Sequence, residues 1–138
     1  MAWKWSLLLA LGSIGVAQTG QTRPVEASLC DIITNPVAYD GRVVRFRAAV
    51  LTDWKHRTIL FSKSCHGVID IDDYRTPAAE AQTLSDAIGT PMGGGLDRTA
   101  IATFSGKLSY TPERYPHIFA MVVYSVKDVE VRRPRIRR

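Results

Sequence analysis

Arg42-Val43-Val44-Arg45-Phe46-Arg47-Ala48-Ala49-Val50-Leu51 is the stretch on which the fold of this chain turns. Taken two at a time, Val44, Phe46, Ala48 and Val50 fall on one side, and Arg45 and Arg47 on the other. A period of two is that of a strand with one face in a core and one in water. Tyr39, Asp40 and Gly41 stand just before it in a turn where the glycine can take a positive φ and deliver the chain into the strand. Because further β-like runs follow, this run is the expected first strand of a small closed or nearly closed sheet.

Working outward, residues 58–62 alternate Ile59 and Phe61 with Leu60 and Ser62, and residues 68–72 place Ile69 and Ile71 inward with Asp70 and Asp72 outward. Cys65, His66 and Gly67 make the tight connection, so the first three strands form a meander. The period then changes: Ala78, Ala81, Leu84, Ala87 and Ile88 recur every three or four residues, which predicts a helix over 77–88 with Thr76 as its cap and Pro77 in its first turn. Gly89, Pro91, Gly93, Gly94 and Gly95 end it in a flexible loop. A fourth strand is expected over 99–110, with Ala100, Ala102, Phe104 and Leu108 inward and Gly106 at a bend or bulge. A fifth, over 118–131, loses phase at Lys127 and Asp128, which predicts a bulge before Val129. Upstream, Ser28 caps a brief helix over 29–34 that Pro36 closes, with Leu29, Ile32 and Ile33 toward the sheet.

That order predicts a mainly β chain with short helices: a five-stranded OB-fold-like Greek-key barrel with a helix between strands three and four and a short N-terminal helix. A five-stranded sandwich and an open α+β sheet are the alternatives. With 138 residues, 46% of them hydrophobic, the chain holds one domain with a modest core.

Residues 1–17 read as a signal peptide. Lys4 makes a positive start, an apolar run extends from Leu7 to Val16, and Gly15 and Ala17 offer a small-residue cleavage site before Gln18. An uncleaved anchor is the alternative, but about ten apolar residues fall short of the roughly 20 needed to span. The expected organisation is a lead segment over 18–27, the domain over 28–131 and a basic, disordered tail over 132–138. A periplasmic or secreted location follows, with no transmembrane segment after cleavage. In that oxidising setting the two cysteines, Cys30 and Cys65, pair by default, and the loop they close contributes about 3 to 4 kcal/mol. A thiol nucleophile or metal pair is the rival reading.

The net charge of +5 sits largely at the ends. Lys4 and Arg132, Arg133, Arg135, Arg137 and Arg138 lie outside 18–131, where 12 basic residues face 13 acidic ones. Within that body, residues 42–66 are predominantly basic and residues 67–97 predominantly acidic, so the domain is polarised.

Ser28, Cys30, Pro36, Tyr39, Gly41 and Val44, followed by a second cysteine after the second strand, resemble a group of small exported bacterial proteins expected to be OB-folds and without an established activity. Separately, Ile59-Leu60-Phe61 followed by Gly67-Val68-Ile69-Asp70-Ile71-Asp72-Asp73 is similar to the core of the periplasmic bacterial OB-fold family, whose members are associated with stress tolerance and proposed to bind small ligands or cations. The chain departs from that family in its two cysteines and in the insertion over 73–98. Both resemblances imply the barrel.

An OB-fold binds on the face of its second and third strands, flanked by the loops joining strands one to two and four to five. Here those loops carry Trp54, Lys55, His56 and Arg57, and Tyr110, Arg114, Tyr115 and His117. Aromatics interleaved with cations suit stacking on bases or sugars and pairing with phosphates or sulfates. The same side chains serve equally well as barrel-end shields and solvated charges. Asp70, Asp72 and Asp73 lack the spacing and glycine of a calcium loop and are expected on a solvated edge. No nucleophile turn, phosphate loop or zinc-helix motif occurs, and no cofactor is implied. The expected function is an exported, non-enzymatic OB-fold module binding a small ligand or protein. Binding of nucleic acid or an anionic polysaccharide through these loops and the arginine tail is the second reading, and a hydrolase the third. The tail would also attract a membrane surface or another anionic polymer.

Overall fold

The computed structural model describes residues 23–52, 57–89 and 99–133, and the chain is mainly β with a few short helices. In chain order the elements are β1 (Val25–Glu26), α1 (Leu29–Thr34), α2 (Pro36–Tyr39), β2 (Val43–Thr52), β3 (Thr58–Phe61), β4 (Val68–Tyr74), α3 (Ala78–Ile88), β5 (Thr99–Tyr110), a 3-10 turn (Pro112–Arg114) and β6 (His117–Arg132). The expected signal segment, Trp54, Lys55, His56, the glycine loop after Gly89 and the last five residues lie outside the described residues.

The five expected strands are β2 to β6, with the expected helix, α3, between the third and fourth of them. β2 is the pivot. Its 43–50 portion pairs antiparallel with β5, and its 49–52 portion pairs antiparallel with β3. β3 pairs with β4, β4 runs parallel to β6, and β6 returns antiparallel to β5, so the pairing closes in a ring. An open sheet would instead leave two edges. The short β1, formed inside the expected lead segment, pairs parallel with β2 at Val44 and Arg45, on a part of β2 that β3 does not reach.

The alternation in β2 is realised in burial: Val44, Phe46, Ala48 and Val50 are buried, while Arg45 and Arg47 are exposed. The inward set meets Leu60, Ile69, Phe104, Leu108, Phe119, Met121 and Val123 in one core, with the Phe46 and Phe104 ring centroids 6.5 Å apart. α1 closes part of that core with Leu29 and Ile32. Its N-terminus carries a capping box in which Ser28 Oγ accepts the Asp31 N–H and the Asp31 carboxylate accepts the Ser28 N–H. Cys30 on α1 is bonded to Cys65 in the turn after β3, with 5.6 Å between the Cα atoms.

The irregularity expected at Lys127 and Asp128 sits on β6, and the one expected at Gly106 of β5 is taken up by an extra residue of β6 opposite it. Ile101 and Thr103 of β5 face Glu130 and Lys127, so β6 carries an extra residue there, and Asp128 takes a φ of 51°. A second shift occurs between Ser105 and Gly106, opposite Ser125 and Val123. At Gly106 the strands approach so closely that an added Cβ would lie 2.2 Å from the Val122 carbonyl oxygen.

Two helix boundaries differ from expectation. Pro36, expected only to stop α1, opens α2 as its first residue, where its missing N–H costs nothing. Thr76 does not cap α3: Pro77 holds the cap position without a side-chain bond, and the buried Thr76 hydroxyl has no partner among the described residues. Only Leu84 of the α3 stripe is fully buried, and the helix packs on β6 and, to a lesser extent, on β5. There β4 ends opposite Val123, and α3 covers the onward course of β6. Glu80 Oε2 accepts the Val126 N–H at 2.8 Å, and Oε1 pairs with Lys127. Burial raises the Glu80 carboxyl pKa, but the bonds from Lys127, Val126 and Ser125 outweigh it and hold that carboxyl below its ordinary range.

Candidate functional site

One end of the ring gathers side chains from three separate segments. The first is set by β2 and β3, whose Thr52 and Thr58 face one another and share a hydroxyl hydrogen bond of 3.0 Å, placing Arg57 at the mouth of that hairpin. The second is β4, where Asp70 lies opposite Ile59 of β3. The third is the start of β6, where Thr111 clasps the loop by donating its N–H to the Ile118 carbonyl and its hydroxyl to the His117 carbonyl. Parallel pairing of Val68 with His117 then brings His117 beside Asp70.

The resulting cluster is tightly bonded. His117 Nδ1 is 2.8 Å from Asp70 Oδ1, Arg57 Nη1 is 3.3 Å from His117 Nε2, and Arg57 Nε is 3.6 Å from Asp70 Oδ1. A guanidinium nitrogen can only donate, so His117 Nε2 accepts and the ring proton sits on Nδ1, directed at the carboxylate. Both ring nitrogens are thereby engaged. Asp70 and His117 are largely buried, with side-chain exposures of 14% and 22%, whereas Arg57 is 55% exposed. The guanidinium therefore forms the outer surface of the cluster and the acid its floor.

Of the loop residues expected to form a binding surface, the structure unites Arg57 and His117. Tyr110 is partly buried, its ring 5.4 Å from that of Phe119, and its N–H is donated to Asp40 Oδ1. Arg114 is exposed in the 3-10 turn, and Tyr115 beside it is 73% exposed. Trp54, Lys55 and His56 lie outside the described residues, immediately before Arg57 in sequence.

Asp70 corrects the expectation of a solvated acidic edge. Asp72 and Asp73 are exposed, and Asp73 pairs with Arg75, but Asp70 is drawn against His117. Its outward position in the strand pattern was legible; the parallel β4–β6 contact that supplies its partner was not. Against β6, Asp72 is an extra residue of β4, and two positions on, burial raises the Tyr74 hydroxyl above its usual range, against a hydrogen bond with Thr58. Among the described residues no group of His, Cys, Asp and Glu could hold a metal ion, and His66 is exposed beside a cysteine already in the disulfide. No described helix is long and apolar enough to cross a membrane.

No family model matches this chain, and neither a curated protein nor a solved structure matches it.

Proposed function

We propose that the chain is an exported, non-enzymatic OB-fold module that binds a small ligand or a protein segment over the β3–β4 face. The pairing ring β2-β3-β4-β6-β5, with a helix between β4 and β5, supports the OB-fold reading, as do the resemblances carried by residues 28–44 and 59–73. The Cys30–Cys65 bond supports an oxidising compartment, as does the signal-like segment over 1–17.

The observation that carries the proposal is the Arg57–Asp70–His117 cluster, in which two loops distant in sequence meet on one strand face. Its chemistry is that of recognition. With the ring proton on Nδ1, the His117 Nε2 lone pair faces the Arg57 guanidinium, which supports a recognition role for the cluster. Arg57, held beside the acid and the imidazole, puts a planar cation at the outer surface of the cluster, a charge that suits a carboxylate or phosphate group. The exposed Tyr115 supplies an aromatic surface in the same connection as Arg114.

Trp54 is the one tryptophan of residues 18–138 and adjoins the cluster in sequence, so its emission is a built-in reporter. Titration with a pool of short peptides should give a saturable change, weakened about tenfold by R57Q, whereas a response to a single-stranded oligonucleotide or heparin alone would favour the anionic-polymer reading. A response that R57Q and Y115A both leave intact would place binding elsewhere and defeat the proposal.

A further inference from the structure

The outer face of β3, β2, β5 and β6 carries a groove of about 650 Å³ at a different place on the ring, lined in part by Arg47, Lys63, Arg132 and Arg133. Its floor is a row set by strand register: Phe61 faces Ala49, Ala49 faces Ile101, and Ile101 faces Glu130. The small Ala49 between Phe61 and Ile101 leaves an apolar depression. Glu130 accepts from Arg47 Nη2 at 2.8 Å and from Arg132 Nε at 3.0 Å. Arg47 Nη1 is further anchored on the Asp128 carbonyl at the bulge, 2.9 Å away. One carboxylate thus orients two guanidinium groups while, among the described residues, four cations line the groove. Among the described residues, Lys63 and Arg133 are in no ion pair.

We infer that this groove is a binding site for an acidic oligosaccharide, whose carboxylate or sulfate sits between the oriented arginines and Lys63 while a sugar ring lies on Phe61 and Ile101. The hydroxyl-bearing Ser62, Ser64 and Thr99 along the groove suit a polyhydroxylated ligand. Nucleic acid fits less well. Single-strand binding uses successive aromatics along a basic track, and among the described residues Phe61 is the one aromatic lining this groove. The near balance of charge over 18–131 leaves a local anion site and not a long phosphate footprint. The site is independent of the ligand surface proposed at Arg57.

The test is calorimetric titration of the whole protein with a heparin tetrasaccharide, tetragalacturonate, inorganic sulfate and a short single-stranded oligonucleotide at about 0.15 M salt. The expected result is saturable binding of at least one oligosaccharide, weakened about tenfold by the double variant K63Q/R133Q and changed less than about twofold by K107Q, which removes an exposed cation outside the groove. The floor variant I101S should weaken oligosaccharide binding and leave any sulfate binding unchanged. Deleting residues 134–138 should leave most of the affinity. No oligosaccharide binding by the wild type overturns the inference. So does equal weakening by K107Q and K63Q/R133Q, or loss on tail deletion alone. Tighter oligonucleotide than oligosaccharide binding that K63Q/R133Q abolishes would reassign the groove to nucleic acid and likewise overturn it.

Discussion

Replacing Glu80 tests whether α3 is held to the ring by one carboxylate. Beyond the last residue of β4, the Val126 N–H of β6 has Glu80 Oε2 as its acceptor, at 2.8 Å. Glu80→Ala leaves that part-buried N–H without a protein partner, which costs about 1 to 3 kcal/mol. The Lys127 ion pair adds little, about 0 to 1 kcal/mol, because the lysine side chain is 64% exposed. Glu80→Ala should therefore cost about 1 to 4 kcal/mol. Glu80→Gln keeps an oxygen for Val126 and loses only charge assistance, so about 1 kcal/mol is expected. Lys127→Met should cost less than about 1 kcal/mol. Urea unfolding with the disulfide intact measures all three as shifts in midpoint at constant slope.

The pH dependence has a definite sign. The folded-state pKa of Glu80 lies below its unfolded value of 4.5, so its contribution is fully present above that value and is lost as pH falls through the lower folded one. The gap between wild type and Glu80→Ala should narrow over that acidic window and stay constant from there up to neutrality. A Glu80→Ala protein within about 0.5 kcal/mol of wild type would refute the anchoring role. So would a Lys127→Met variant as costly as Glu80→Ala, since the ion pair would then be the dominant contact.

Three further outcomes are expected. Reducing Cys30–Cys65, or replacing both cysteines by serine, should lower stability by about 3 to 4 kcal/mol in urea melts, and an unchanged midpoint would show that α1 needs no tether. Gly106→Ala should cost about 1 to 3 kcal/mol or prevent folding, since its Cβ would press on the Val122 carbonyl oxygen and Met121; a neutral result in thermal melts would mean that the β5–β6 approach is looser than described. In nitrogen-15 NMR, His117 should show the proton on Nδ1 in the wild type and lose that preference in Asp70→Ala, whereas an Nε2-protonated ring in the wild type would contradict the cluster's bonding.

Much of the architecture was written locally. The alternation across 42–51 is a property of neighbours in the chain, and so are the glycine before it, the Ser28 cap and the loss of phase at Lys127 and Asp128. Each is decided within a few residues by backbone geometry and the side on which a side chain falls. The Thr76 cap was misread for the same reason. A threonine before Pro77 satisfies the local rule, but the helix takes Pro77 itself as its cap residue. β1 was invisible because two residues, Val25 and Glu26, carry no period; they become a strand only where β2 presents an uncovered edge.

The candidate site divides along the same line. From sequence alone came the strand phases, the outward placement of Asp70 and the arginines of β2, the pairing of the two cysteines, and the loops that would flank a binding face. Tertiary structure alone decided that Asp70 meets His117 and Arg57, that Tyr110 turns toward Phe119, and that Glu130 gathers Arg47 and Arg132 over Phe61 and Ile101. The physical reason is that a strand's side-chain period follows from its own backbone, whereas the choice and direction of its neighbour follow from closing the ring. Residues 47 and 70 positions apart become partners because the parallel β4–β6 pair and the antiparallel β2–β5 pair bring distant segments together.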